Sequence, residues 1–151
     1  DLQRDVFAVM DRVTDFDRLA GAALDGPCEP FPAEQCAELE STFVELLRAA
    51  AVRRLGRYRA DRFEYLGESV DGDRAEVRTT ALYGENAVPL VYTLERIDGA
   101  WRIVDYEVSE VPTVDSYRRQ FARLLGRQSV ESVIGRLERR IERFRADAAG
   151  R

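Results

Sequence analysis

Near Arg62 the apolar spacing of this chain changes from three-four to two, and after Pro112 it changes back. That double switch constrains the fold more than any other feature. Between the switches lie four strand-like runs, at about 62–70, 74–83, 87–97 and 100–109, separated by Asp71-Gly72-Asp73, Gly84-Glu85-Asn86 and Asp98-Gly99. Such turns are hairpin chemistry, and short hairpins make each neighbour antiparallel. A four- to five-stranded meander is expected. In the second run Ala75, Val77, Thr79, Ala81 and Tyr83 alternate with Glu76, Arg78 and Thr80, the pattern of a sheet with one buried face. Val88, Leu90, Tyr92 and Leu94 repeat it in the third. Simple alternation in the fourth run sets Trp101 and Ile103 opposite Val104, Tyr106 and Val108.

The flanks are helical. Val6, Val9, Met10 and Val13 fall on one face of a helix at about 2–13. Asp15 is the expected N-cap of a second, with Phe16, Leu19, Ala20 and Ala23 inward. Gly26 to Pro30 breaks the chain, and Pro32 opens a third helix running to about Tyr58. Its inner stripe holds Cys36, Leu39, Phe43, Leu46, Leu47, Ala50, Ala51 and Leu55. Val114, Tyr117, Phe121, Leu124 and Leu125 mark a fourth helix ended by Gly126. Val130, Val133, Ile134, Leu137, Ile141 and Phe144 mark a fifth, with Arg136, Arg139, Arg140 and Arg143 on its wet sides. Helices, antiparallel sheet, helices: the class is α+β, a curved sheet packed by helices in one domain over 1–151.

The residues that are missing narrow the function. The chain has no His, and all 23 basic residues are Arg. Ser-His-Asp and Cys-His pairs, His-ligated metals, Schiff-base lysines and the P-loop lysine are closed together. A net charge of −5 argues against a nucleic-acid binder. No apolar run approaches the roughly 20 residues of a membrane span. A binding protein without catalysis or cofactor is the expectation. Charge is polarised, with eleven acids against three Arg in 1–47 and seven Arg against four acids in 127–151.

Asp105, Glu107 and Glu110 gather at the end of the fourth run, where a general acid–base pair or a calcium site is conceivable. No spacing supports either, and ion pairing or solvation is the expected fate. Cys28 and Cys36 are neither a CxxC pair nor, without His, a zinc site. Cys28 sits in a polar, Pro-rich stretch that suits a disulfide better than a buried thiol. The chain begins at Asp1 rather than Met, so a segment upstream is expected to have been cut away or left out, and no signal peptide can be read from what remains.

Trp101-Arg102-Ile103-Val104-Asp105, then Val111, then Tyr117-Arg118-Arg119-Gln120-Phe121 resembles the C-terminal signature of the MlaC family of periplasmic phospholipid-binding proteins. Leu24-Asp25-Gly26, Phe31-Pro32-Ala33-Glu34-Gln35 and Phe43-Val44-Glu45-Leu46-Leu47 are similar to the family's loop and proline-started helix. The likeness covers about 14–140. It departs at Glu110-Val111-Pro112, where the family has G-V-S, and at Ser116, where it has Asn.

The resemblance implies a cone-like fold related to nuclear transport factor two, with acyl chains held between sheet and helices. It implies a carrier between an outer-membrane lipoprotein complex and an inner-membrane ABC transporter with a lipid-binding ring protein. Periplasmic location and phospholipid cargo follow from the same likeness. The expected lining is Val77, Thr79, Ala81, Tyr83, Leu90, Tyr92 and Leu94 from the sheet, and Phe16, Leu19, Phe43, Leu47, Tyr117 and Phe121 from the helices. Two rival readings remain at this point: an interaction module with a solid core, and a cone-fold enzyme using Asp105. A solid core would hold no lipid, and an enzyme would need a partner acid or base beside Asp105.

Overall fold

A computed structural model describes residues 2–57 and 60–149, with side chains described except at positions 2, 3, 6 and 54–57. The inward positions expected at Val6 and Leu55, and the helix end expected at Tyr58, lie outside the described residues.

Three helices come first: α1 (Leu2–Val13), α2 (Phe16–Leu24) and α3 (Ala33–Arg57). Asp15 caps α2, its Oδ1 accepting the Arg18 N–H at 2.9 Å. The connection to α3 is stapled by a Cys28–Cys36 disulfide with Cα atoms 6.0 Å apart. Closing so small a loop is worth about 2.5 kcal/mol on the chain-entropy account.

The sheet follows as β1 (Arg62–Asp71), β2 (Arg74–Tyr83), β3 (Asn86–Ile97) and β4 (Ala100–Val108), each antiparallel to the last. Asp98 and Gly99 both take positive φ, 52° and 81°, as a tight hairpin turn between β3 and β4 demands. A fifth strand of two residues, β5 (Val111–Pro112), pairs with the end of β4 and leads into α4 (Thr113–Leu125) and α5 (Val130–Ala149).

The main core is helical. Phe16, Leu19 and Ala23 of α2 meet Leu39, Phe43, Leu46 and Leu47 of α3, Phe121 and Leu125 of α4, and Val133, Leu137 and Ile141 of α5. The ring of Phe43 stands edge-on to Tyr117 and to Phe121, with centroids 4.8 Å apart in each case. Each fully buried Leu, Ile, Val or Phe among them contributes about 1.5–3 kcal/mol by leaving water.

The helical layer is tied to the sheet at β4. The Asp15 N–H donates to the Ile103 carbonyl at 2.9 Å, and Arg102 Nη2 donates to the Thr14 carbonyl at 3.0 Å. Val114, in the first turn of α4, donates its N–H to Asp105.

One expectation is overturned here. Pairing slips by one residue between Thr93 and Leu94: Asp105 faces Thr93, but Ile103 faces Leu94. Val104 is the extra residue of a β-bulge, and a bulge reverses the alternation beyond it. Trp101 and Ile103 therefore share the face of Tyr106 and Val108 instead of opposing them.

Candidate functional site

Directly opposed residues of antiparallel strands lie on one face of the sheet. Tyr92 lies between Val77 and Tyr106, Leu90 between Thr79 and Val108, and Leu94 between Ala75 and Ile103. On β1, Phe63 and Tyr65 face Ala81 and Thr79. A second bulge, at Leu66, keeps the apolar side in phase, so that Val70 returns opposite Ala75. All seven sheet residues expected from the sequence thus stand on one face. Its few polar groups include the Thr79 hydroxyl, which donates to the Leu90 carbonyl at 3.0 Å. The reverse side carries Arg62, Glu64, Arg74, Glu76 and Arg78.

Cover over that apolar face is uneven. At its β4 end Tyr106 packs against the helical core; on β2, between Phe63 and Val88, Ala81 is fully buried. Val77, Thr79, Tyr83, Leu90, Tyr92 and Leu94 are half-buried. At β1 the face is bare: Phe63 is 62% exposed, Tyr65 63% and Val70 56%. The apolar strip therefore runs from under the helices out to water.

The helical half of the expected lining sits elsewhere. Phe16, Leu19, Phe43, Leu47 and Phe121 are buried inside the helical core, and half-buried Tyr117 packs against it. The structure gathers the thirteen expected residues as two groups, one filling a core and one forming a face. Phe63, Tyr65, Val70 and Tyr106 belong to that face as well. Their alternation is visible in the sequence, but Leu66 and Val104 interrupt it.

The acids do other work. Asp105 Oδ1 accepts two backbone N–H groups, Tyr106 at 2.8 Å and Val114 at 3.1 Å. Burial pushes its carboxyl up from the ordinary 3.8, while these two bonds pull it down. Glu107 is half-buried on β4, and Glu110 is exposed in the turn with φ 68°. Among the described residues no group of three His, Cys, Asp or Glu could hold a metal ion. No helix among them is long and apolar enough to cross a membrane. The site offers apolar area on a charged chain.

The family described as MlaC protein matches residues 1–139. A solved structure of a phospholipid-binding protein from Ralstonia solanacearum, in complex with a phospholipid, superposes with a TM-score of 0.75 at 22% identity. The match covers 94% of this chain and 83% of that one. No curated protein matches.

Proposed function

The chain belongs to the MlaC family, and on that premise we propose that it is a periplasmic carrier holding phospholipid acyl chains against the apolar face of its sheet. The observation that carries this reading is the strip from Tyr106 to Phe63, apolar across four strands and uncovered at β1. Lifting an acyl chain out of a bilayer costs about 0.8 kcal/mol per CH₂, so a carrier must offer comparable dry surface. Val77, Thr79, Ala81, Tyr83, Leu90, Tyr92 and Leu94 form the wall, with Phe63, Tyr65 and Val70 extending it. Phe16, Leu19, Phe43, Leu47, Tyr117 and Phe121 make the rigid layer behind the covered end. The headgroup stays in water.

No bond is made or broken in such a cycle, and no cofactor enters it. The Cys28–Cys36 disulfide suits an oxidising compartment. The phospholipid in the Ralstonia solanacearum structure supports the same cargo class here. The carrier would receive and deliver lipid between an outer-membrane lipoprotein complex and an inner-membrane ABC transporter bearing a lipid-binding ring protein.

Native mass spectrometry of protein purified from bacterial cells, followed by organic extraction, tests the reading. Phospholipid near one per chain is the expected result. Tyr92→Glu should abolish that lipid and leave the fold intact, whereas Ala87→Glu, on the reverse face opposite Leu82, should not. Lipid retained in folded Tyr92→Glu overturns the wall assignment. A wild-type chain that carries no lipid and takes none from vesicles overturns the carrier.

A further inference from the structure

A second concavity lies away from the sheet. It is a groove of about 630 Å³ between α4 and α5, lined by no residue of any strand. Its apolar lining comes from three helices: Leu46 of α3, Tyr117, Phe121 and Leu124 of α4, and Leu137 of α5. Gln120, Gln128 and six arginines complete it: Arg123, Arg127, Arg136, Arg139, Arg140 and Arg143. No acid lines it.

Two observations set this groove apart from an ordinary solvated face. Arg136, Arg139, Arg140 and Arg143 repeat at i, i+3, i+4 and i+7, a single stripe along α5. Like charges at i,i+4 destabilise a helix unless acids offset them. Other arginines of the chain have such partners, among them Arg48 with Asp11, Arg53 with Asp147 and Arg118 with Asp115. None of the six forms a salt bridge among the described residues; Arg140 reaches only the ring of Phe144, at 5.3 Å. The volume lies in the range of small-ligand sites, roughly 300–1,000 Å³.

From the convergence of an apolar lining and unpaired guanidinium groups we infer that the α4–α5 groove is a second binding site, one that takes an anionic, phosphate-bearing amphiphile. The phosphate oxygens accept from the arginine forks, which match them two bonds at a time. The short apolar portion lies on half-buried Leu124, over Leu137 and Phe121, which are buried. This goes beyond the carrier reading: the acyl wall on β2 and β3 shares no residue with the groove, and only Tyr117 and Phe121, of the layer behind that wall, also line it.

Titration with dihexanoyl phosphatidic acid by isothermal calorimetry tests it, in the wild type and in Tyr92→Glu, where the sheet face is spoiled. Binding is expected in both. The pair Arg136→Glu/Arg140→Glu should weaken it about tenfold or more. Arg119→Glu, on the same α4 but outside the groove, should leave it unchanged. Inorganic phosphate and dihexanoyl phosphatidylcholine should each bind at least about tenfold more weakly than the phosphatidic acid. Should charge reversal unfold the chain, Arg136→Gln/Arg140→Gln gives the same readout. Unchanged affinity in the folded double variant overturns the site. Phosphate binding equally well overturns the amphiphile, and phosphatidylcholine doing so overturns the role of charge. Loss of copurified phospholipid in Tyr92→Glu with groove binding intact separates the two sites. If groove binding disappears in Tyr92→Glu, the second site is overturned.

Discussion

The carboxylate of Asp105 on β4 accepts the backbone N–H of Val114 at 3.1 Å and so caps α4 across two elements. The flanking residue, Pro112, offers no side-chain cap of its own. Because one oxygen takes both this bond and that from Tyr106, an amide at this position can keep both. Asp105→Ala is expected to cost about 1 kcal/mol, the typical loss for a helix cap. Asp105→Asn should cost much less. Urea denaturation of both variants checks this, and equal losses would rule out the cap.

Titration of the same carboxyl has a definite sign. Its folded value is raised above 3.8, chiefly by burial, so the folded chain holds this proton longer than the unfolded one. The protonated folded form is favoured below the unfolded value. Stability then declines as pH rises through the interval between 3.8 and the raised value. Asp105→Asn should lack that decline. Denaturation midpoints taken from about pH 3 to about pH 7 in both proteins measure the difference.

Arg118 closes the far end of α2. Its Nη2 and Nε donate to the Ala22 carbonyl at 2.7 and 3.2 Å, and Nη1 meets Asp115 at 2.8 Å. That carbonyl lies in the last turn of α2, where acceptors have no helical partner. A lysine cannot reproduce the fork. Arg118→Lys is expected to lose about 1 kcal/mol, read by the shift in urea midpoint at constant slope, and a variant as stable as wild type would deny Arg118 this role.

Two phenylalanines should separate stability from cargo. Phe43 is fully buried among the rings of Tyr117 and Phe121, and Phe43→Ala should cost about 3–5 kcal/mol. Phe63 is mostly exposed, and Phe63→Ala should change stability by less than about 0.5 kcal/mol. On the carrier reading the second variant nevertheless retains less phospholipid after purification. Thermal melts and lipid extraction on the same two samples would show both effects.

Much of the architecture was legible because local chemistry and fold agree. Asp15 and Pro32 open helices, the Asp98-Gly99 turn closes a hairpin, and Cys28 pairs with Cys36. The residues behind the family likeness turn out to be joinery. Asp105 caps α4, Arg102 reaches Thr14, Arg118 holds the end of α2, and Phe121 fills the core. What sequence could not disclose were the bulges at Leu66 and Val104. A strict period of two has no place for an extra residue, so it sets Trp101 and Ile103 on the wrong side. Nor does an apolar stripe say what covers it. Phe43 and Tyr92 look equivalent in pattern, yet one lies deep among helices and the other is half-exposed on a sheet.

The bulge on β1 also bears on how this molecule behaves in company. β1 is the outer strand, and among the described residues no strand pairs with its outer edge, beside exposed Phe63, Tyr65 and Val70. A flat, greasy edge of that kind is a template on which a second chain can add a strand. Here Gly67, at φ 146°, follows the slip in register and twists the strand out of line midway. Replacing it with any larger residue would press a new Cβ to 3.0 Å from Arg78 Nη2 and strain the backbone together. On the carrier reading, a β1 without its bulge would offer the face meant for cargo as an edge on which a second copy of the chain could add a strand.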